Sequence, residues 1–278
     1  MFMSDKQTPA LSKERAEYLR KVRFRKYATL AVRVLILVVF FAAWEILANL
    51  KLIDPFITSQ PSRIIRTLGN LYREGSLFRH IGVTCLETVA GFLIGTILGT
   101  GIAVLLWWSD FIARVLEPYL VVLNSLPKIA LGPIFIIWIG PGPMAIIVMA
   151  LAISLIVTIL EVLNGFLSVD PEKIKLVQTF GANHMQIFTK VVLPANVSSI
   201  INALKINVGL SWVGVIVGEF LVSRAGLGYL IVYGGQVFQL DLVMTSVLIL
   251  AVAAALMYQG VVWLEKKLVK NQQMYGQL

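Results

Sequence analysis

KLVQTFGANHMQIFTKVVLP, running from Lys175 to Pro194, is a charged amphipathic stretch between two hydrophobic runs. Each flanking run is long enough to cross a bilayer. Ile174, Val177, Gly181, Met185, Phe188 and Val192 recur at three- or four-residue intervals, so helical segments here carry a single apolar stripe. Gly181 tolerates a positive φ and suits a break between two short helices. Pro194 ends or kinks whatever helix precedes it. Two readings fit the spacing: a docking element for another protein, or an amphipathic loop lying on the membrane surface.

The surrounding chain is membrane-grade throughout. Of 278 residues 58% are hydrophobic and 14% charged, with a mean hydropathy of +0.83; soluble domains carry roughly 25% charged residues. One membrane domain is the expected organisation. Cys85 stands alone in an apolar run, which excludes a disulfide framework or a cysteine-based metal site. His80 and His184 are too few and too far apart in sequence for a metal or catalytic cluster. The net charge of +9 fits basic loops facing anionic headgroups better than a nucleic-acid surface.

Six hydrophobic runs follow one another: Val34–Leu50, Val83–Trp108, Val115–Ile139, Met144–Leu167, Ile200–Val222 and Leu242–Leu264. The expected fold is therefore all-α with six transmembrane helices. Pro118, Pro127 and Pro133 divide the third run, so its first part is expected to lie along the cytoplasmic face while Lys128–Gly140 crosses. The polar, basic residues 1–28 form a separate segment in which Ser12 caps a short helix ending at Lys26. The membrane domain spans 29–270, with 168–195 as its loop, and 271–278 is a short tail. No small-residue cleavage site follows the first run, so it reads as a retained span rather than a signal peptide.

Lys/Arg bias orients the chain. With the N-terminus inside, sixteen basic residues fall on inside segments and six outside, counting nine between Lys6 and Arg33. Both termini and the 175–194 stretch are thus expected in the cytoplasm. On the opposite side, PSRIIRTLGNLYREGSLFRH (Pro61–His80) reads as an interfacial helix capped by Ser62. Ile64, Ile65, Leu68, Leu71 and Tyr72 would form its apolar face.

Gly91, Gly95 and Gly99, spaced by four in the second run, form a groove for a close helix approach, within the chain or between two copies. Ionisable residues in apolar runs are costly and face a partner or a watery path. Here they are Glu45, Glu87, Lys128, Glu161, Lys205 and Glu219, with Lys128 and Lys205 able to pair with Glu87, Glu161 or Glu219. No nucleophile–base pair, metal-ligand spacing or GxxxxGK[ST] phosphate loop is present, so the chain does not read as an enzyme.

Gly181 followed ten residues later by an aliphatic residue and then Val192-Leu193-Pro194 resembles the cytoplasmic "EAA" loop of ABC-importer permeases. The family's Glu-Ala-Ala triplet is Lys175-Leu176-Val177 here. Other stretches are similar to the nitrate/sulfonate/taurine branch of that family. They are Asn124–Pro133 (NSLPKIALGP) with Trp138 and Gly140, Val217-Gly218-Glu219-Phe220, Ala225–Ile231 (AGLGYLI), and Thr84–Gly91. The resemblance covers roughly residues 30–268 and excludes the basic N-terminal segment.

It implies a type I importer permease in a bacterial inner membrane, working as a dimer, a homodimer if two copies of this chain pair. Two cytoplasmic ATPases would carry ATP and Mg, with no cofactor on this chain, and an extracytoplasmic binding protein would deliver the solute. The docking residues it implies are Lys175, Val177, Gly181, Met185, Phe188, Leu193 and Pro194, with Met185 and Phe188 contacting the ATPase groove. Glu87, Asn124, Lys128, Glu161, Lys205 and Glu219 remain candidates for the pathway or for pairing. The branch's solutes include sulfonates, taurine, nitrate or bicarbonate, thiamine-precursor pyrimidines and riboflavin. A self-contained secondary transporter or channel using Glu87, Glu161 and Glu219 is the competing class, although the two halves show no convincing repeat.

Overall fold

A computed structural model describes residues 13–275, with side chains described from 17 to 267. Among the described residues every regular element is helical. The chain divides into two units, the first ending at Arg63 and the second beginning at Ile64.

The first unit is dominated by α1 (Lys13–Asn49). Ser12 lies outside the described residues, but no break separates the basic stretch from the first apolar run. They form one helix of 37 residues, across the boundary expected near residue 28. Asp54 caps the single turn α2 (Pro55–Thr58) by accepting from the Phe56 N–H at 2.9 Å. Glu45 accepts from the Ser62 N–H at 3.0 Å, and Trp44 Nε1 donates to the Ser59 carbonyl at 3.2 Å. Glu45 is thereby a local clasp rather than a pathway group.

In the second unit, α3 (Pro61–Arg73, whose first turn belongs to the first unit) buries only Ile64 and Leu71. Ile65 and Tyr72, expected on the same apolar face, are exposed. Leu71 packs with Leu77, Leu227, Leu230 and Leu242, and that small cluster decides which edge of the helix turns inward.

Five helices are long and apolar enough to cross a membrane: Glu17–Asn49 within α1, α4 (Leu77–Trp108), α7 (Pro143–Leu167), α11 (Val197–Val222) and Leu240–Lys267 within α13 (Leu240–Tyr275). A sixth span exists if the pair Asp110–Ser125 (α5) and Lys128–Ile139, bent by 87°, counts as one. The bend follows from Pro127, which pushes Leu126 to an extended conformation (ψ 138°). Pro133 sits in the first turn of α6 (Gly132–Ile139), where its missing N–H costs nothing. Pro118 is carried inside α5 without ending it. α13 continues past residue 270 to Tyr275, so no break marks the expected C-terminal tail.

α7 is the central post, packed against both α4 and α11, which also touch each other. A Cβ on Gly91, Gly95 or Gly99 would lie 2.9 Å from Ala150 Cβ, 2.9 Å from Ser154 Oγ or 2.8 Å from Thr158 Cβ. The glycine stripe of α4 therefore packs within the chain, against the small residues of α7. On α11, a Cβ on Gly214 would fall on the Ala150 backbone, and one on Gly218 would come within 3.0 Å of Ile146 Cα. Helices approach this closely only where no side chain intervenes.

Candidate functional site

Two places carry the chemistry read from the sequence. The first is the run of short helices between α7 and α11. Asp170 caps α8 (Pro171–Thr179) by accepting from the Glu172 N–H at 2.9 Å, with Pro171 in the first turn. α8 closes with Gly181 at φ +80°, the Gly181 N–H bonded to the Gln178 carbonyl at 2.9 Å and the Ala182 N–H to the Val177 carbonyl at 3.1 Å. This is a Schellman ending, which requires the left-handed residue glycine supplies. Asn183 and Gln186 then form a reciprocal capping box that starts α9 (His184–Ile187).

Beyond α9 the helix widens into one π turn over Phe188–Val192 and continues through α10 (Leu193–Ala195). Pro194, expected to end or kink the helix, sits in the first turn of α10, and the path turns only at Asn196. A π turn beside a proline is one way a helix absorbs the missing donor.

The apolar stripe faces inward. Ile187, Phe188 and Val192 are buried with Leu106, Val162 and Phe166, and Ile174 and Val177 pack against that cluster. The Phe188 ring lies 5.1 Å from Trp107 and 5.6 Å from Phe166, centroid to centroid. Phe188, expected beside Met185 as an outward contact, is thus an anchor, because the Trp107 and Phe166 side chains offer it a partner inside the chain. What remains outward is Leu176, Phe180 and Met185, at 57%, 81% and 58% exposure, flanked by the exposed Lys173, Lys175 and Lys190. Leu193 is half-buried and Pro194 exposed.

The second place is a buried polar knot joining α4, α11 and the start of α12 (Leu227–Gln236). Glu219, 1% exposed, accepts at Oε1 from the Thr84 hydroxyl (2.6 Å) and at Oε2 from the Gly228 N–H (2.5 Å). The Tyr229 N–H also donates to it. The Leu227 N–H donates to Thr84 Oγ1 at 2.7 Å, and the Gly226 N–H to His80 Nδ1 at 3.0 Å. A carboxylate at the N-terminus of α12 is favoured by the free amides and dipole there. Gly226 and Gly228 are required because a Cβ at either would strike the Glu219 carboxylate. Glu87, buried on the same face of α4 as Thr84, lies beside the Glu219 carboxyl. Its Oε2 has no protein partner among the described residues.

The remaining candidates are scattered. Lys205 pairs with Glu265 of α13 at 2.8 Å rather than with Glu87, Glu161 or Glu219. Lys128 Nζ donates to the Asn124 carbonyl at 2.9 Å at the open end of α5. Glu161 is exposed on α7. The two acids meet each other because α4 and α11 both flank α7, whereas the lysines lie on other helix faces. Glu265, Thr84 and His80 were not singled out from the sequence as members of these groups. Thr84, Glu87 and Thr88 continue the Gly91–Gly95–Gly99 face at the same three- and four-residue spacing, and that continuation was the available signal.

Residues 91–270 match the family described as "Binding-protein-dependent transport system inner membrane component". The chain belongs to this family of ABC-transporter permeases. It is 29% identical over 266 residues to SsuC of Bacillus subtilis, a permease assigned to aliphatic sulfonates, covering 96% of each chain. It is 23% identical to the Escherichia coli taurine permease TauC (84% of this chain, 86% of the relative). To the formylaminopyrimidine permease ThiX of Halalkalibacterium halodurans it is 28% identical, covering 67% and 74%. Among solved structures, the permease resembles a chain of a bacterial alginate ABC transporter with TM-score 0.60 at 15% identity, covering 90% and 96%. It also resembles a chain of the inward-facing MetNI methionine transporter with TM-score 0.54 at 22% identity, covering 68% and 97%. The fold is that of a type I importer permease in the inner membrane.

Proposed function

We propose that this permease passes a small sulfonate-like anion, delivered by an extracytoplasmic binding protein, through a pathway between two copies of the chain. Transport is driven by ATP and Mg on two separate ATPase subunits that dock on residues 168–195, with both termini on the same cytoplasmic side. The observation that carries the ATPase docking is the outward trio Leu176, Phe180 and Met185. They are apolar, exposed and set among lysines, on short helices whose other face is locked to the bundle. Such a rigid two-faced element can pass a push from a docked subunit into α7 and α11.

The sulfonate class rests on the similarity to the permeases assigned to sulfonates and taurine. A pyrimidine precursor is the second reading, favoured by the similarity to the formylaminopyrimidine permease. In this scheme Glu87 and Glu219 fasten helices and leave solute choice to the binding protein. The test is reconstitution of the permease with the ATPase and binding protein encoded beside it. ATP hydrolysis stimulated by taurine or an alkanesulfonate supports the reading; stimulation by a pyrimidine alone transfers it to the second class. Full uptake in membranes lacking any ATPase partner would overturn both.

A further inference from the structure

The continuity of α1 changes what its basic residues can do. A helix of 37 residues is about 55 Å long, and the hydrocarbon core it must cross is about 30 Å. The apolar part begins at Ala28, so the turns before it stand in the headgroup layer and beyond, held rigidly by the same helix. Arg20, Lys21, Arg23, Arg25 and Lys26 lie on those turns, all exposed; the acids on the same turns are Glu14 and Glu17, the latter paired with Lys21 at 2.9 Å. At 3.6 residues per turn, these five cations surround the axis with no gap wider than about 100°. Arg33, exposed two turns further in, has a stem long enough to reach back toward the same layer. Tyr18, Phe24 and Tyr27 stand exposed among them, the side chains that favour a membrane–water interface.

We propose that this collar binds anionic lipid headgroups of the leaflet from which α1 emerges. A protein partner would read one face of a helix, whereas a headgroup layer surrounds it, and the cations are placed all round. A helix lying flat on the membrane would need a sustained apolar stripe, whereas the face that carries Tyr18, Leu19 and Val22 is interrupted by Lys26. Each cation near an anionic surface adds attraction that decays within a Debye length, so the binding is salt-sensitive. The proposal rests on the membrane location alone and does not depend on the solute or the ATPase.

The test uses the full chain with Cys85→Ala and Ala31→Cys, the latter carrying a fluorophore about one turn below the collar. The protein is reconstituted in nanodiscs of equal parts phosphatidylglycerol and phosphatidylcholine, with bromine on the chains of one lipid at a time. Preferential quenching by the brominated phosphatidylglycerol, about threefold at low salt, is expected. It should fall to near parity at high salt, and also in Arg20→Gln/Arg23→Gln/Arg25→Gln/Lys26→Gln, whose replacements keep good helix formers at exposed positions. Equal quenching by the two lipids at low salt overturns the proposal. So does a preference that survives the four substitutions, since the lipid would then be held elsewhere. Shielding of the fluorophore by an added acidic protein, with no lipid preference, would assign the collar to a protein partner and also overturn it.

Discussion

The membrane core around α7 and the short-helix segment from Pro171 to Ala195 solve opposite problems with similar residues. In the core, contact depends on what is missing: Gly91, Gly95, Gly99, Gly214 and Gly218 remove side chains so that α4 and α11 can close on Ala150, Ser154 and Thr158. In the segment, contact depends on what is present: Phe188, Ile187 and Val192 fill the space beside Trp107 and Phe166, while Leu176, Phe180 and Met185 are left outside. Without a hydrophobic drive between helices in lipid, the core relies on close packing and polar bonds. At the end of the bundle, where water is near, large apolar anchors regain their usual value. The exposed Leu176, Phe180 and Met185 on this anchored segment are the residues the proposed docking would use.

Substitutions that break one region should leave the other's signature intact. Phe188→Ala has the largest expected effect. Losing a buried ring should cost about 4 kcal/mol and release the short helices from the bundle. Thermal unfolding in nanodiscs, with proteolysis between residues 171 and 195 as the local readout, checks this; an unchanged midpoint would remove the anchor role. Gly214→Ala should follow, at about 3 kcal/mol, because the added carbon meets the Ala150 backbone and cannot be avoided by a rotamer change. Its signature is reduced midpoint with the short-helix segment still protected.

Glu219→Leu should cost about 2 kcal/mol by leaving the Gly228 and Tyr229 amides without their acceptor and the Thr84 hydroxyl with only the more distant His80 carbonyl. Glu219→Gln, which keeps one acceptor, should fall between it and the parent protein. Cysteine accessibility at position 225 reads the freed turn, and a closed turn in Glu219→Leu would show that the knot is dispensable. The smallest stability effect belongs to Phe180→Ser, within about 0.5 kcal/mol because the ring is exposed. Uptake and ATPase recovery should nevertheless drop severalfold. A variant with normal uptake would dismiss Phe180 from the docking surface.

The same pairs of residues show where sequence reading stops. Spacing identified the 174–192 stripe and the α4 glycines, because a helix repeats every 3.6 residues whatever surrounds it. Spacing alone does not say whether a stripe faces inward or outward. Phe188 and Met185 share the pattern, yet Trp107, Trp108 and Phe166, distant in sequence, bury only the former. Lys205 drew attention as a charge in an apolar run, but its partner is Glu265, sixty positions away.

Composition and local rules by themselves determined a membrane protein with helical spans. They also placed a break at Pro127, a left-handed turn at Gly181 and an amphipathic segment between two spans. Each follows from backbone sterics or from the solvent each residue tolerates, and needs no knowledge of neighbours. Only the tertiary structure decided that α4 and α11 both clasp α7. That arrangement brings Glu87 and Glu219 together, seats Glu219 on the amides of α12 and turns Phe188 inward. These contacts join residues far apart in sequence, and their geometry is set by which helices pack side by side.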